Sequence, residues 1–295
     1  MKKFILFTLL LSLYLITSLA FVYGSDDYDL FKRTQSPNHH ITKLRIVNHP
    51  DLHSLRQLKY FPKLTQFSIQ DCPNVKDLER SLTSHGVSLR RLTLCRMGLG
   101  NLSFLTVLSG LRALNLMANY NVTSISPLLA LSRLRILHLS GCTSIKDVSP
   151  LSEMTKLKSL GISSVLIQYP PRNPPLPQSI HFLEPLAPSL GYLDLSCSDI
   201  RDLSSLKKFS KLKFLDLDGS CDEGKKWDGL EYLTNLQYLH LGNAQYRLKS
   251  FKFLETLPHL KKVYVQEEGL IPSFRKRPGL KIGSNVHMHK SRYML

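Results

Sequence analysis

One apolar triplet, Leu-x-x-Leu-x-Leu, is written twice in 29 residues: as Leu134, Leu137, Leu139 and, 23 residues later, as Leu157, Leu160, Ile162. Strand side chains alternate between faces, so the last two members of each triplet share one side of a short strand. Ser140, Gly141 and Cys142 make a small polar break after the first copy. Ile145, Val148 and Leu151 then recur at every third position, a spacing that predicts a helical or 3₁₀ return path. One strand and one return arm cannot bury an apolar face alone, so the unit needs copies above and below it.

The copies are present. The triplet occurs ten times: Ile41-Leu44-Ile46, Leu64-Phe67-Ile69, Leu89-Leu92-Leu94, Leu111-Leu114-Leu116, the central two, Leu190-Leu193-Leu195, Leu212-Leu215-Leu217, Leu236-Leu239-Leu241 and Leu260-Val263-Val265. The intervals are 23, 25, 22, 23, 23, 33, 22, 24 and 24 residues, all but one within the range of about 20–29 for leucine-rich repeats. Residues 41 to about 266 therefore resemble a leucine-rich-repeat protein. The resemblance implies an α/β solenoid: an arc or horseshoe with a parallel concave β-sheet of about ten coils and a helical, 3₁₀ or irregular convex side. It also implies that Cys72, Asn119 and Cys142 point inward and bond turn backbone, with Ser198 and Ser220 as substitutes. The short return arm resembles repeats of internalins and of a phosphatase regulatory subunit, and the Ser-Gly-Cys turn resembles plant resistance-protein repeats, so the subtype stays open.

The termini depart from the pattern. Lys2 and Lys3 precede an apolar run from Phe4 to Tyr23, which reads as a signal peptide over residues 1–24. The run approaches the roughly 20 residues that span a bilayer, so an uncleaved, membrane-tethering signal-anchor is the alternative. Residues 25–40 form a polar lead-in or cap, 41–269 the repeat domain, and 270–295 a basic cap or tail in which Leu280 and Ile282 suggest a last strand. The long interval holds a Pro-rich insertion over 165–188, expected to bulge from the arc as a stiff loop.

Charge and cysteines refine this picture. The formal net charge of +17 falls to +15 without residues 1–24 and to +9 without 270–295 as well, so the repeat body is itself basic. Such a surface favours anionic partners, a glycan or an anionic surface among them. Nucleic acid is disfavoured, because rings are not interleaved with the Lys and Arg residues. Five cysteines leave at least one unpaired; Cys197 and Cys221, one coil apart, are the candidate disulfide. Asn101 and Asn121 begin glycosylation sequons just past their strands.

The residues beside the leucines line the concave sheet. Its first coils offer Lys43, Arg45 and Arg91, and its centre Ala113, Ile136, His138, Ser159 and Gly161. The last coils set Tyr192, Phe214 and Tyr238 at one position, with Asp194, Asp216 and His240 beside them and Asp218 one step on. Stacked strands would bring those rings into a vertical ladder with carboxylates alongside, as a binding hot spot requires. No spacing here demands a metal or cofactor, and the histidines lack a nucleophile in any recognisable motif, so no enzyme is expected.

The sequence thus points to a monomeric, non-catalytic binding module, secreted or displayed at the cell surface. It would recognise a basic or amphipathic protein ligand through Tyr192, Asp194, Phe214, Asp216, Asp218, Tyr238 and His240. Two alternatives stand beside it: an intracellular or membrane-tethered scaffold regulating an enzyme such as a phosphatase, and an anionic-glycan or surface binder.

Overall fold

The computed structural model describes residues 26–85, 89–166, 175–220, 228–243, 251–266 and 279–284. The segment 1–24, Cys221 and most of the basic tail lie outside them, so the signal peptide and the Cys197–Cys221 pairing have no structural counterpart here.

Every triplet becomes a strand of one sheet. The order is β1 (Lys43–Val47), β2 (Gln66–Gln70), β3 (Arg91–Cys95), β4 (Ala113–Asn115), β5 (Ile136–His138), β6 (Ser159–Gly161), β7 (Tyr192–Asp194), β8 (Phe214–Asp216), β9 (Tyr238–Gly242), β10 (Lys262–Val265) and β11 (Lys281–Ser284). All neighbours are parallel and sequential, and β11 is the strand anticipated around Ile282. Register follows the leucines: Leu114 pairs with Leu137, Leu137 with Leu160, Leu160 with Leu193 and Leu193 with Leu215. Apart from Ile41, which is half-buried, all triplet residues are buried.

The return arms are mostly 3₁₀, as at Ser103–Val107, Ser126–Ala130, Ser149–Glu153 and Ser204–Lys208. Apolar residues at every third position face inward on a three-residue turn, and Ile145, Val148 and Leu151 are all buried. The longer second coil has room for an α-helix instead, Leu78–His85. Within the Pro-rich interval, Val165 and Leu166 belong to the core. Ile180, Leu183 and Leu186 repeat the every-third-residue arm and are also buried, around the 3₁₀ segment His181–Leu186. Thus both ends of residues 165–188 are ordinary coil, and residues 167–174 between them lie outside the described structure.

The first coil is capped. Helix α1 (Tyr28–Arg33) inserts Phe31, 1% exposed, against Phe61 with ring centroids 6.2 Å apart. Asp27 meets the free edge of β1: its amide donates to the Arg45 carbonyl (2.7 Å) and its Oδ2 accepts the Arg45 amide (2.9 Å). An unpaired parallel edge would otherwise offer those groups to another chain.

Candidate functional site

At the end of each short strand the backbone must turn, and polar side chains direct it. Asn115, Asp194 and Asp216 occupy equivalent strand positions, and each turns an Oδ1 back to the amide two residues on: Met117 (3.0 Å), Ser196 (2.9 Å) and Asp218 (3.0 Å). An Asx side chain that closes its own turn in this way is local backbone chemistry. The chain then dips inward, where Asn119 bonds four backbone groups: Nδ2 donates to the Leu94 and Leu116 carbonyls, and Oδ1 accepts the amides of Met97 and Leu99. Cys142 donates to the Leu116 carbonyl and Ser220 to that of Leu195, each in the preceding coil. The inward ladder expected for Cys72, Asn119, Cys142 and the serines is therefore present. Burial pushes the Cys142 thiol up to about 12 and keeps it neutral.

On the concave face, Tyr192 and Phe214 stack at a centroid distance of 4.4 Å and an interplanar angle of 7°. Tyr238 follows in register but stands apart from that stack, 38% exposed. The rings therefore form a stacked pair and a free-standing third, not a continuous ladder. The run extends the other way through His138, whose ring lies 6.1 Å from Tyr192, two strands away. Gly161 between them makes this reach feasible: a Cβ there would meet His138 Nδ1 at 2.8 Å. Burial alone depresses the His138 pKa to about 4, so the ring is neutral near pH 7.

The acidic partners sit deeper than the rings. Asp194 is 5% exposed and also accepts the Ser196 hydroxyl at 2.6 Å. Asp216 and His240 are fully buried; Asp216 Oδ2 lies 3.0 Å from His240 Nδ1, and Asp218 Oδ2 lies 3.8 Å from His240 Nε2. Tyr264 closes on His240 edge-on at 5.8 Å. Asp218 is half-buried, and its Oδ1 accepts the Asn243 amide. Gly242 has φ +44, and a Cβ there would strike that same oxygen. Asp194, Asp216 and His240 therefore brace the strand ends from within, while Tyr192, Phe214, Tyr238 and Asp218 reach the surface. His138 and Tyr264, which complete the constellation, were not legible as members of it. Tyr264 is in cross-strand register with His240 one strand away, and His138 is in register with Asp194 two strands away and reaches Tyr192 diagonally.

One strand per coil, a 3₁₀ return and an inward polar ladder together define the architecture. The fold is a leucine-rich-repeat solenoid. No family model matches the sequence, and no curated protein matches it. Among solved structures, the chain is similar to an internalin (inlF) of Listeria monocytogenes, with 19% identity over 83% of this chain and 87% of that one and a TM-score of 0.48. It is also similar to internalin C2 (inlC2) of the same organism, at 21% identity over 76% and 80% of the two chains, with a TM-score of 0.41.

Asn101 and Asn121 are both exposed, one coil apart, just past β3 and β4 and away from the ring-bearing strands. Among the described residues, no helix is long and apolar enough to cross a membrane.

Proposed function

We propose that this solenoid is a non-catalytic binding module that holds an amphipathic segment of a protein ligand against the last third of its concave sheet. The supporting observation is the ring group: a stacked Tyr192–Phe214 pair beside Tyr238, which is 38% exposed. Exposed aromatic side chains with few rotamers give contact area at small entropic cost. The ligand's apolar side would lie on these rings and its basic or donor groups at Asp218, the carboxylate with surface access. Asp194, Asp216 and His240 would hold the strand ends that carry the rings. The reading includes export of the chain, based on the apolar segment after Lys2 and Lys3 and on the two exposed sequons.

The test begins with expression of the full chain in a secretory eukaryotic host. The account expects product in the medium, shortened by residues 1–24 and carrying glycan at Asn101 or Asn121. A protein captured by it is then titrated against Tyr238→Ala and against Tyr232→Ala, a control on the return arm that is 56% exposed. Tyr238→Ala should weaken binding at least tenfold and Tyr232→Ala less than twofold, since truncating a central aromatic anchor costs ~2 kcal/mol or more. Equal affinities for the two variants would place the ligand elsewhere, and an intact chain retained inside the cells would contradict export.

A further inference from the structure

A second surface is organised by the same register, on the rim where the chain enters each strand. The residue immediately before the strand is joined from coil to coil by backbone hydrogen bonds. The Arg112 amide donates to the Arg90 carbonyl (2.8 Å), Arg135 to Arg112 (2.8 Å) and Lys158 to Arg135 (2.7 Å). The row then runs through Gly191, Lys213, Gln237 and Lys261, each amide bonded to the previous carbonyl at 2.8–2.9 Å. Four successive coils thus present Arg90, Arg112, Arg135 and Lys158, and at about 4.8 Å per strand they cover roughly 14 Å. Two residues earlier in the same coils, Arg133, Lys156 and Lys211 add exposed cations alongside.

Among the described residues, no acid occupies the row immediately before the strands. The carboxylates Asp51, Asp71, Asp77, Asp147, Asp202 and Asp218 all follow the strands, on the other rim. Glu153 closes a return arm and lines a shallow pocket together with Lys156. Among the described residues, Arg112, Arg133, Arg135, Lys156, Lys158, Lys211 and Lys213 form no ion pair with a carboxylate. Aligned like charges held a strand spacing apart repel one another, and an anion laid across them removes that repulsion.

We propose that this rim is a binding site for a linear anionic polysaccharide, a chain of sulfated or carboxylated sugars running across the coils. Its anionic groups recur along one line, as the cations do. A single-stranded nucleic acid needs rings beside the cations on which bases stack. The neighbours of the four consecutive cations are Arg91, Ala113, Ile136 and Ser159, none of them aromatic. A membrane surface imposes no spacing, whereas the backbone here fixes one. The site does not depend on the protein-binding reading, because its four consecutive cations precede β3 to β6, whereas the rings are on β7 to β9.

The test is fluorescence anisotropy of a labelled heparin fragment with the full chain, across a salt series. The triple variant Arg112→Glu, Arg135→Glu, Lys158→Glu should bind at least tenfold more weakly than wild type and show a shallower salt dependence. The corresponding glutamine triple should move the same way by a smaller factor, confirming that charge and not misfolding is read. A control with equal charge change on exposed lysines elsewhere, Lys59→Glu, Lys76→Glu, Lys146→Glu, should change less than threefold. Tyr238→Ala should leave heparin binding intact even if it abolishes the protein ligand. Equal losses in the two reversal triples would reduce the site to net charge and overturn the proposal. So would tighter binding of a single-stranded oligonucleotide, or of phosphatidylserine vesicles, than of heparin.

Discussion

At the scale of single residues, short polar side chains work by returning to backbone. Asn119 is the clearest: it is fully buried and satisfies two carbonyls and two amides from two coils. A buried polar group left without a partner costs roughly 1–3 kcal/mol, and Asn119→Ala strands several at once. Urea unfolding should therefore show a loss of about 3 kcal/mol or more for Asn119→Ala. Cys142→Ala, which gives up one weak thiol bond to the Leu116 carbonyl, should lose about 1 kcal/mol. Equal losses would mean that the ladder is a packing feature. The same local chemistry explains what was hard to read in Asp194 and Asp216. Strand alternation assigns each to the concave face, and it does so correctly. It cannot tell that the carboxylate curls back to the amide two residues on instead of facing a ligand.

At the scale of elements, the strands are coupled through side chains as well as through their ladder. His138 of β5 leans over Gly161 of β6 toward Tyr192 of β7, which links the plain centre of the sheet to the ring-bearing end. Sequence placed His138 on the face but among unremarkable neighbours, because its reach depends on the missing side chain at Gly161. Its burial has a measurable consequence. With a folded-state pKa near 4 against 6.5 unfolded, the unfolded chain takes up a proton first as pH falls. Stability contributed by neutral His138 is thus complete above pH 6.5 and is lost between pH 6.5 and about 4, by as much as about 3 kcal/mol. Unfolding midpoints at pH 7.5 and 4.5 should converge in His138→Gln relative to wild type. An unchanged pH dependence would mean that the ring gains solvent access in the folded state. The return arms were more legible: every-third-residue spacing gave 3₁₀ turns, and the same spacing at Ile180, Leu183 and Leu186 marks coil inside a stretch whose prolines suggested a loop.

At the scale of the whole molecule, ten triplets at a near-constant period were enough to specify a one-dimensional stack, because each coil contacts only its neighbours. The eleventh strand was visible only as Leu280 and Ile282, and the polar segment read as a lead-in or cap did not show that α1 would form in it and bury Phe31. The basic rim escaped a reading that searched the concave face, since its members come one residue before each strand and become a row only when the coils are registered. The molecule thus presents two surfaces of different chemistry: rings on the concave sheet near its end, and cations along one rim. The assignment of the protein ligand to the rings is the central claim. Hydroxyl-radical footprinting of the chain with and without its captured protein ligand addresses it most directly, because tyrosine and phenylalanine report their own exposure. The account predicts that Tyr238, Tyr192 and Phe214 are protected in the complex while Tyr120 and Tyr232, both exposed outside the ring group, oxidise as before. Protection of Tyr120 or Tyr232 with unchanged oxidation of Tyr238 would contradict it.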